Sequence, residues 1–219
     1  MSIAKVQSTS KDAGAVTSTT LAFASSVTSG SLLLASGRAA TGTVTVTCSD
    51  NVNAGNYAAD GSETGNSQTL FLQSMPNAGA GATTVTCALG SAQTLRLIIQ
   101  EFSGVAASSP LDGTPVGADS GGASNTSPSS GNLTTANASD LLVGIIICGN
   151  GNGALTAGSG WTLDQSVVNK AFAEYQIVSA TGSYAANGTL AASDNWNALI
   201  AAYKAAAGGS NTTVTPRVA

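Results

Sequence analysis

The sequence predicts an all-β protein, a pseudo-symmetric antiparallel β-sandwich built from an internal duplication. Three observations point there. Short runs rich in β-branched residues, VTVTC (44–48), TVTC (84–87) and LRLII (95–99), are separated by clusters of Gly, Ser and Asn, the pattern of strands and turns. Charged residues are 8% of the chain against about 25% in an ordinary soluble domain, so Ser, Thr, Asn, Gly and Ala must form the surface. With 42% apolar residues and a net charge of −4, the composition is nevertheless not that of a disordered chain.

The third observation is that the chain matches itself. TTVTCALGSAQTLRLIIQEFSG (83–104) and YAANGTLAASDNWNALIAAYKA (184–205) align without a gap at an offset of 101, so that Leu89 meets Leu190, Leu95 meets Trp196, Ile99 meets Ile200 and Phe102 meets Tyr203. Further upstream, GSLLLASG (30–37) meets SDLLVGII (139–146) at an offset of 109, which makes the second copy eight residues shorter. The polar loop 49–68 is the expected place for the extra length, because loops absorb insertions that strands cannot.

Taken in order, each half offers a polar opening strand, a buried LLL-type strand, a hairpin and a long closing strand, or about ten to fourteen strands in two sheets. The run DLLVGIIICGN (140–150) is too short for a bilayer, which needs about 20 apolar residues. Its β-branched residues and interior Gly144 argue against a helix, leaving a strand buried on both faces. WNALIAAYKAAA reads alone as an alanine-rich helix, but its partner TLRLIIQEFSGV does not, and repeats share a structure; both are expected to be strands. The parts are a first β half (1–107), a Ser/Gly/Pro-rich connection (108–132), a second β half (133–205) and a flexible tail (206–219). One compact domain is favoured over two, since either half alone would leave an apolar sheet face uncovered. The opening MSIAKVQSTSKDAGAV has no apolar core of a secretory signal, so the mature chain is expected to start at Met1. Its first dozen residues, like the tail, are polar enough to order only against a neighbour.

The ordered set VQSTSKDAG, GSLLLASG, VTVTCSDNVNAGNY, LIIQEFSGV, SPLDGT, SDLLVGII, AGSGWTLDQS, AEYQIVSATGSYAANGTL and NWNALIAAYK, covering about residues 6–204, resembles a repeated β-sandwich module of uncharacterised bacterial surface proteins and phage structural proteins. DNVNAGN stands where the usual pattern has a tight DSAGN-type hairpin turn. The resemblance implies a jelly-roll-like fold in a structural or adhesive role and brings no catalytic residues.

Candidate chemistry is sparse. Histidine is absent, which removes the commonest general base, the nucleophile–histidine dyads and most zinc sites. Glycoside hydrolysis needs two carboxylates about 5–10 Å apart, and Glu101 and Glu174, both in strand-like segments, are the candidates; the competing reading is two structural glutamates. The loop Asp50-Asn51-Val52-Asn53-Ala54-Gly55-Asn56, followed by Asp60 and Glu63, is rich in oxygen ligands for calcium. It departs from the EF-hand pattern at Val52 and Ala54 and is read as a turn. Cys48, Cys87 and Cys148 are read as buried free thiols, with a Cys48–Cys87 bridge leaving Cys148 over as the alternative. Trp161, Tyr175, Tyr184, Trp196 and Tyr203 are core residues or, alternatively, stacking platforms for a sugar. The Asn-x-Ser/Thr matches at Asn125, Asn132, Asn137, Asn187 and Asn211 are those expected by chance.

The expectation is therefore no catalytic, cofactor or metal site and no nucleic-acid or membrane partner. The function expected is that of a non-enzymatic virion structural protein, a phage head decoration or cement protein assembled in the host cytoplasm. Its partners would be a major capsid or other virion protein and further copies of itself. The alternative is an extracellular adhesin or carbohydrate-binding module.

Overall fold

A computed structural model describes residues 2–40 and 42–208, and the described residues contain strands and no α-helix. The first sheet comprises β1 (Ala4–Ala22), β2 (Leu32–Ala40), β3 (Val46–Asp50), β4 (Ala58–Gly65), β5 (Gln68–Met75) and β6 (Thr84–Ser103). Its order is β1-β6-β2-β5-β4, with β3 added to β6. After β7 (Val116–Asp119), β8 (Leu133–Thr134), β9 (Asp140–Cys148), β10 (Leu155–Ala157), β11 (Thr162–Val167) and β12 (Ala171–Val178) come β13 (Ser183–Tyr184), β14 (Gly188–Leu190) and β15 (Trp196–Lys204). The second sheet runs β7-β15-β9-β12-β11, and β8 with β13 and β10 with β14 form two short ribbons. All pairings are antiparallel. The fifteen strands among the described residues exceed the expected ten to fourteen because the covering ribbons are too short to be read from periodicity.

The two sheets have the same strand order, and their registers agree with the sequence match. Leu32 pairs with Phe102 as Leu141 pairs with Tyr203. Leu32, Leu34, Leu70, Leu72, Ile98 and Phe102 from the first sheet meet Leu141, Val143, Ile145, Leu199, Ala201 and Tyr203 from the second in one core. The central strands β2 and β9 are buried along almost their whole length, which is why they read as continuous apolar runs. The alanine-rich β15 is a strand too: Ala198, Ala201 and Ala202 are fully buried, and tertiary pairing on both edges overrides helix propensity.

Both outer faces are covered as well. The β1–β6 pair shifts register between Val16 and Ser18, and the first half of β6, with β3 alongside, folds over the first sheet. Val46, Cys48, Val85, Cys87 and Leu89 then pack on Leu33, Leu95, Leu97 and Ile99. On the second sheet, Leu155 and Leu190 cover Ile146, Phe172 and Trp196, while Leu133 and Ala186 cover Leu142, Ile200 and Ala202.

One expectation is overturned: residues 4–12 do not wait for a neighbour but lie in β1, paired with β6 from Ala4–Ser103 onward. Ile3 enters the core, and Lys5 forms an ion pair with the buried Asp164 of β11. The connection 108–132 supplies β7, the edge strand beside β15. The expectation for the tail falls mostly outside the described residues, from 209 onward.

Candidate functional site

The two glutamates considered for catalysis are both fully buried. Glu101 Oε1 accepts from the Thr28 N–H and the Ser31 hydroxyl, each at 2.8 Å, and Oε2 accepts from the Gln7 amide at 2.6 Å. A carboxylate with that many donors is a clamp on the loop before β2. Glu174 faces Ala186, opposite Gly144, and burial raises its pKa to about 8. Neither stands in a cleft with a second carboxylate.

The oxygen-rich loop is a turn held by its own first residue. Asp50 Oδ1 accepts from the N–H groups of Val52 and Asn53, both at 2.7 Å, and Oδ2 accepts from the Asn53 amide and the Tyr57 hydroxyl. Asp60 instead receives the Tyr203 hydroxyl at 2.6 Å, and Glu63 points to Gly117 on the facing edge strand. Burial raises both carboxyls, and for Glu63 the nearby Asp119 adds to the effect. No cluster of three metal-ligating side chains occurs among the described residues.

The free-thiol expectation is wrong for two of the three cysteines. Cys48 and Cys87 are directly opposed on β3 and β6, with Cα atoms 4.1 Å apart, and form a disulfide. That separation lies below the usual disulfide range but keeps both side chains on one face. Cys148 is buried at the end of β9, and burial pushes its thiol up to about 12. Of the five aromatics, Trp196 and Tyr203 are buried and Trp161, Tyr175 and Tyr184 are half-buried. None is an open stacking platform.

Several residues that organise loops escaped the sequence reading. Asp194 accepts from the N–H groups of Asn150, Gly151, Asn152 and Asn195, so the GNGNG stretch is a nest around a carboxylate. Asp164 joins the sheets, accepting from Gln100 at 2.8 Å and Ser8 at 3.0 Å beside Lys5. No spacing rule marks either aspartate, because their donors come from distant parts of the chain.

What the surface offers is a face rather than a pocket of reactive groups. Across β1, β6 and β3, Thr20, Thr86 and Ser49 lie in one row and Ser18, Ala88 and Thr47 in the next. These side chains are exposed or half-exposed, and the rows carry no charge. Their alternation follows from the pleat: Thr19, Cys87 and Cys48 between the rows point inward. Behind this face a groove of about 340 Å³ runs between residues 43–46 and β4, floored by Thr69, Phe71 and Gln73. Gln73 and Thr69 occupy the free edge of the covering chain. Gln73 accepts from the Cys48 N–H and donates to the Val46 carbonyl, and Thr69 accepts from the Val44 N–H and donates to the Gly42 carbonyl.

Comparison of the chain with protein-family models, with characterised proteins and with solved structures finds no match.

Proposed function

We propose that this chain is a non-enzymatic structural protein of a virus particle, a phage-head decoration or cement protein or another accessory coat protein. It acts by attachment to a major capsid or other virion protein, as a homo-oligomer. The observation that carries this reading is the use made of the acidic groups. Asp50, Glu101 and Asp194 each hold a loop through backbone N–H donors, so the side chains that chemistry would need are consumed by the fold. The uncharged hydroxyl rows on β1, β6 and β3 supply the contact surface. Shared strand order and register in the two sheets support an origin by duplication, and the resemblance to phage and surface modules points the same way.

With few ion pairs available to screen, attachment is insensitive to salt. The test is co-sedimentation of purified protein with undecorated capsids at low and high salt. Binding in both is expected, and Thr47→Lys or Thr86→Lys, which place a charge in the rows, should abolish it without lowering the melting temperature.

A second reading, an extracellular adhesin or carbohydrate-binding module, is favoured by the disulfide, because such bonds persist in oxidising surroundings. Failure to co-sediment at either salt concentration, together with retention on a glycan array, would replace the coat reading by this one.

A further inference from the structure

Two carboxyl groups under the cover of the second sheet are sealed from water and lack donors in hydrogen-bond geometry. Asp140, the first residue of β9, is 0% exposed, and neither of its oxygens accepts from an N–H or hydroxyl group. The acid that bears on it is another carboxyl, Asp112. Asp112 Oδ2 already accepts from the N–H groups of Ala136 and Asn137, at 2.7 and 2.8 Å. Asp112 is thus the ionised member, and Asp140 must carry the proton that joins them. Glu174 is also 0% exposed and lies between β9 and Ala186: a Cβ at Gly144 would come within 2.8 Å of Glu174 Cγ and 2.7 Å of Ala186 Cβ.

Both acids sit beneath one continuous ribbon. Leu133 and Thr134 pair with Tyr184 and Ser183, Thr135 N–H donates to Gly182 O, and Ser130 N–H donates to Ala186 O. The ribbon covers Leu142, Val178, Ile200 and Ala202. Its 136–137 end is tied to Asp112, and its 186–187 end rests on Glu174.

We propose that this ribbon, residues 130–137 with 182–187, is an acid-closed latch, seated at one end by the proton shared between Asp112 and Asp140 and at the other by neutral Glu174, and released as those protons leave to solvent. The charges bearing on Asp140 are Asp112 and Lys204, its neighbour in β15. The group favouring the charged form of Glu174 is the Asn187 N–H, which falls outside good hydrogen-bond geometry.

Burial, reinforced by Asp112, raises Asp140 to about 7, and burial raises Glu174 to about 8. For Asp112, burial acts upward, but the Asn137 and Ala136 N–H bonds outweigh it and its pKa falls. The signs follow from linkage. A carboxyl whose closed-state value is raised favours closure fully below its solvated value near 4, and that preference is lost as pH climbs to the closed-state value. Opening should grow by about tenfold per pH unit per proton across that window. Asp112 opposes this only below its ordinary range, outside the window.

The experiment is amide hydrogen exchange of the full chain at pH 5 and pH 8, corrected for the intrinsic pH dependence of exchange. Opening of residues 130–137 and 182–187 should increase by about a hundredfold or more relative to the centres of β9 and β15. In the Asp140→Asn/Glu174→Gln double variant that increase should vanish. Equal protection at the two pH values, a loss spread evenly over all strands, or an unchanged response in the variant would each overturn the proposal. If the variant fails to fold, carboxyl ¹³C titration of the unaltered protein decides: midpoints near 7 and 8 uphold the latch, and midpoints near 4 refute it.

Discussion

Gln73 and Glu174 stand 101 positions apart and both face outward under a covering segment, yet the outcome differs. An amide presents a donor and an acceptor, which Gln73 uses on the Val46 carbonyl and the Cys48 N–H at 2.6 and 2.9 Å. A carboxyl can do the same only when protonated; neither oxygen of Glu174 has a partner in hydrogen-bond geometry, and burial raises its pKa. The offset was legible in the sequence, but the burial that gives it meaning was not. Asp50 teaches the same lesson from the other side: its four donors are local, so a turn could be read from Asn and Gly alone. With those oxygens occupied, the melting temperature should be the same in excess chelator and in millimolar calcium, since a native-state ligand would raise it. A shift of several degrees would restore the calcium reading. Cys148 should resist thiol reagents in the native state and react only on unfolding, because burial keeps its thiol protonated at neutral pH. Rapid labelling without denaturant would contradict its buried place at the end of β9. That Cys48 meets Cys87 was open in the sequence because alternation fixes a side chain's face but not its cross-strand partner.

At the scale of elements, the hairpins are the least comfortable joints. The β4–β5 and β11–β12 turns both place non-glycine residues at positive φ, Asn66 and Ser67 at 53° and 56°, Val168 and Asn169 at 46° and 54°. Asparagine tolerates that region, whereas a β-branched side chain is a genuine outlier there. Val168 is also 54% exposed, so packing does not compensate. Val168→Asn should therefore stabilise the protein by roughly 0.5–1 kcal/mol, as reduced strain at a turn does. Chemical denaturation with an unchanged m-value would measure it, and a loss of stability would mean that the valine is held by contacts. Buried strands such as β2 and β9 were legible because apolar runs bounded by turn residues permit little else. β1 was not. Its polar residues suit an arm as well as an edge strand, and only the 19-residue span laid along β6 decides between them. The short ribbons were missed for a related reason: two or three residues carry no period.

For the whole molecule, closure depends on what joins the two sheets at their margins. On one side Lys5, Ser8 and Gln100 converge on Asp164, with the rings of Phe102 and Tyr175 in edge contact 5.5 Å apart. On the other, Tyr203 reaches Asp60, and Gly61 and Gly117 allow β4 and β7 to pack against Leu199. A chain with so few charges has buried or half-buried many of its acids. Asp60, Glu63, Asp140 and Glu174 all have pKa values raised above the ordinary carboxyl range, with burial as the first cause, while Asp112 alone is clearly lowered. Between about pH 4 and about pH 8 the folded chain therefore holds more protons than the unfolded one, and stability must fall as pH rises through that window. This reverses ordinary acid denaturation, which comes from carboxylates that prefer to be charged in the native state. The melting temperature should be several degrees higher at pH 5 than at pH 8, at about 2–4 °C per kcal/mol for a chain of this size. Calorimetry at constant ionic strength provides the measurement. Equal or greater stability at pH 8 would show that water reaches these carboxyls.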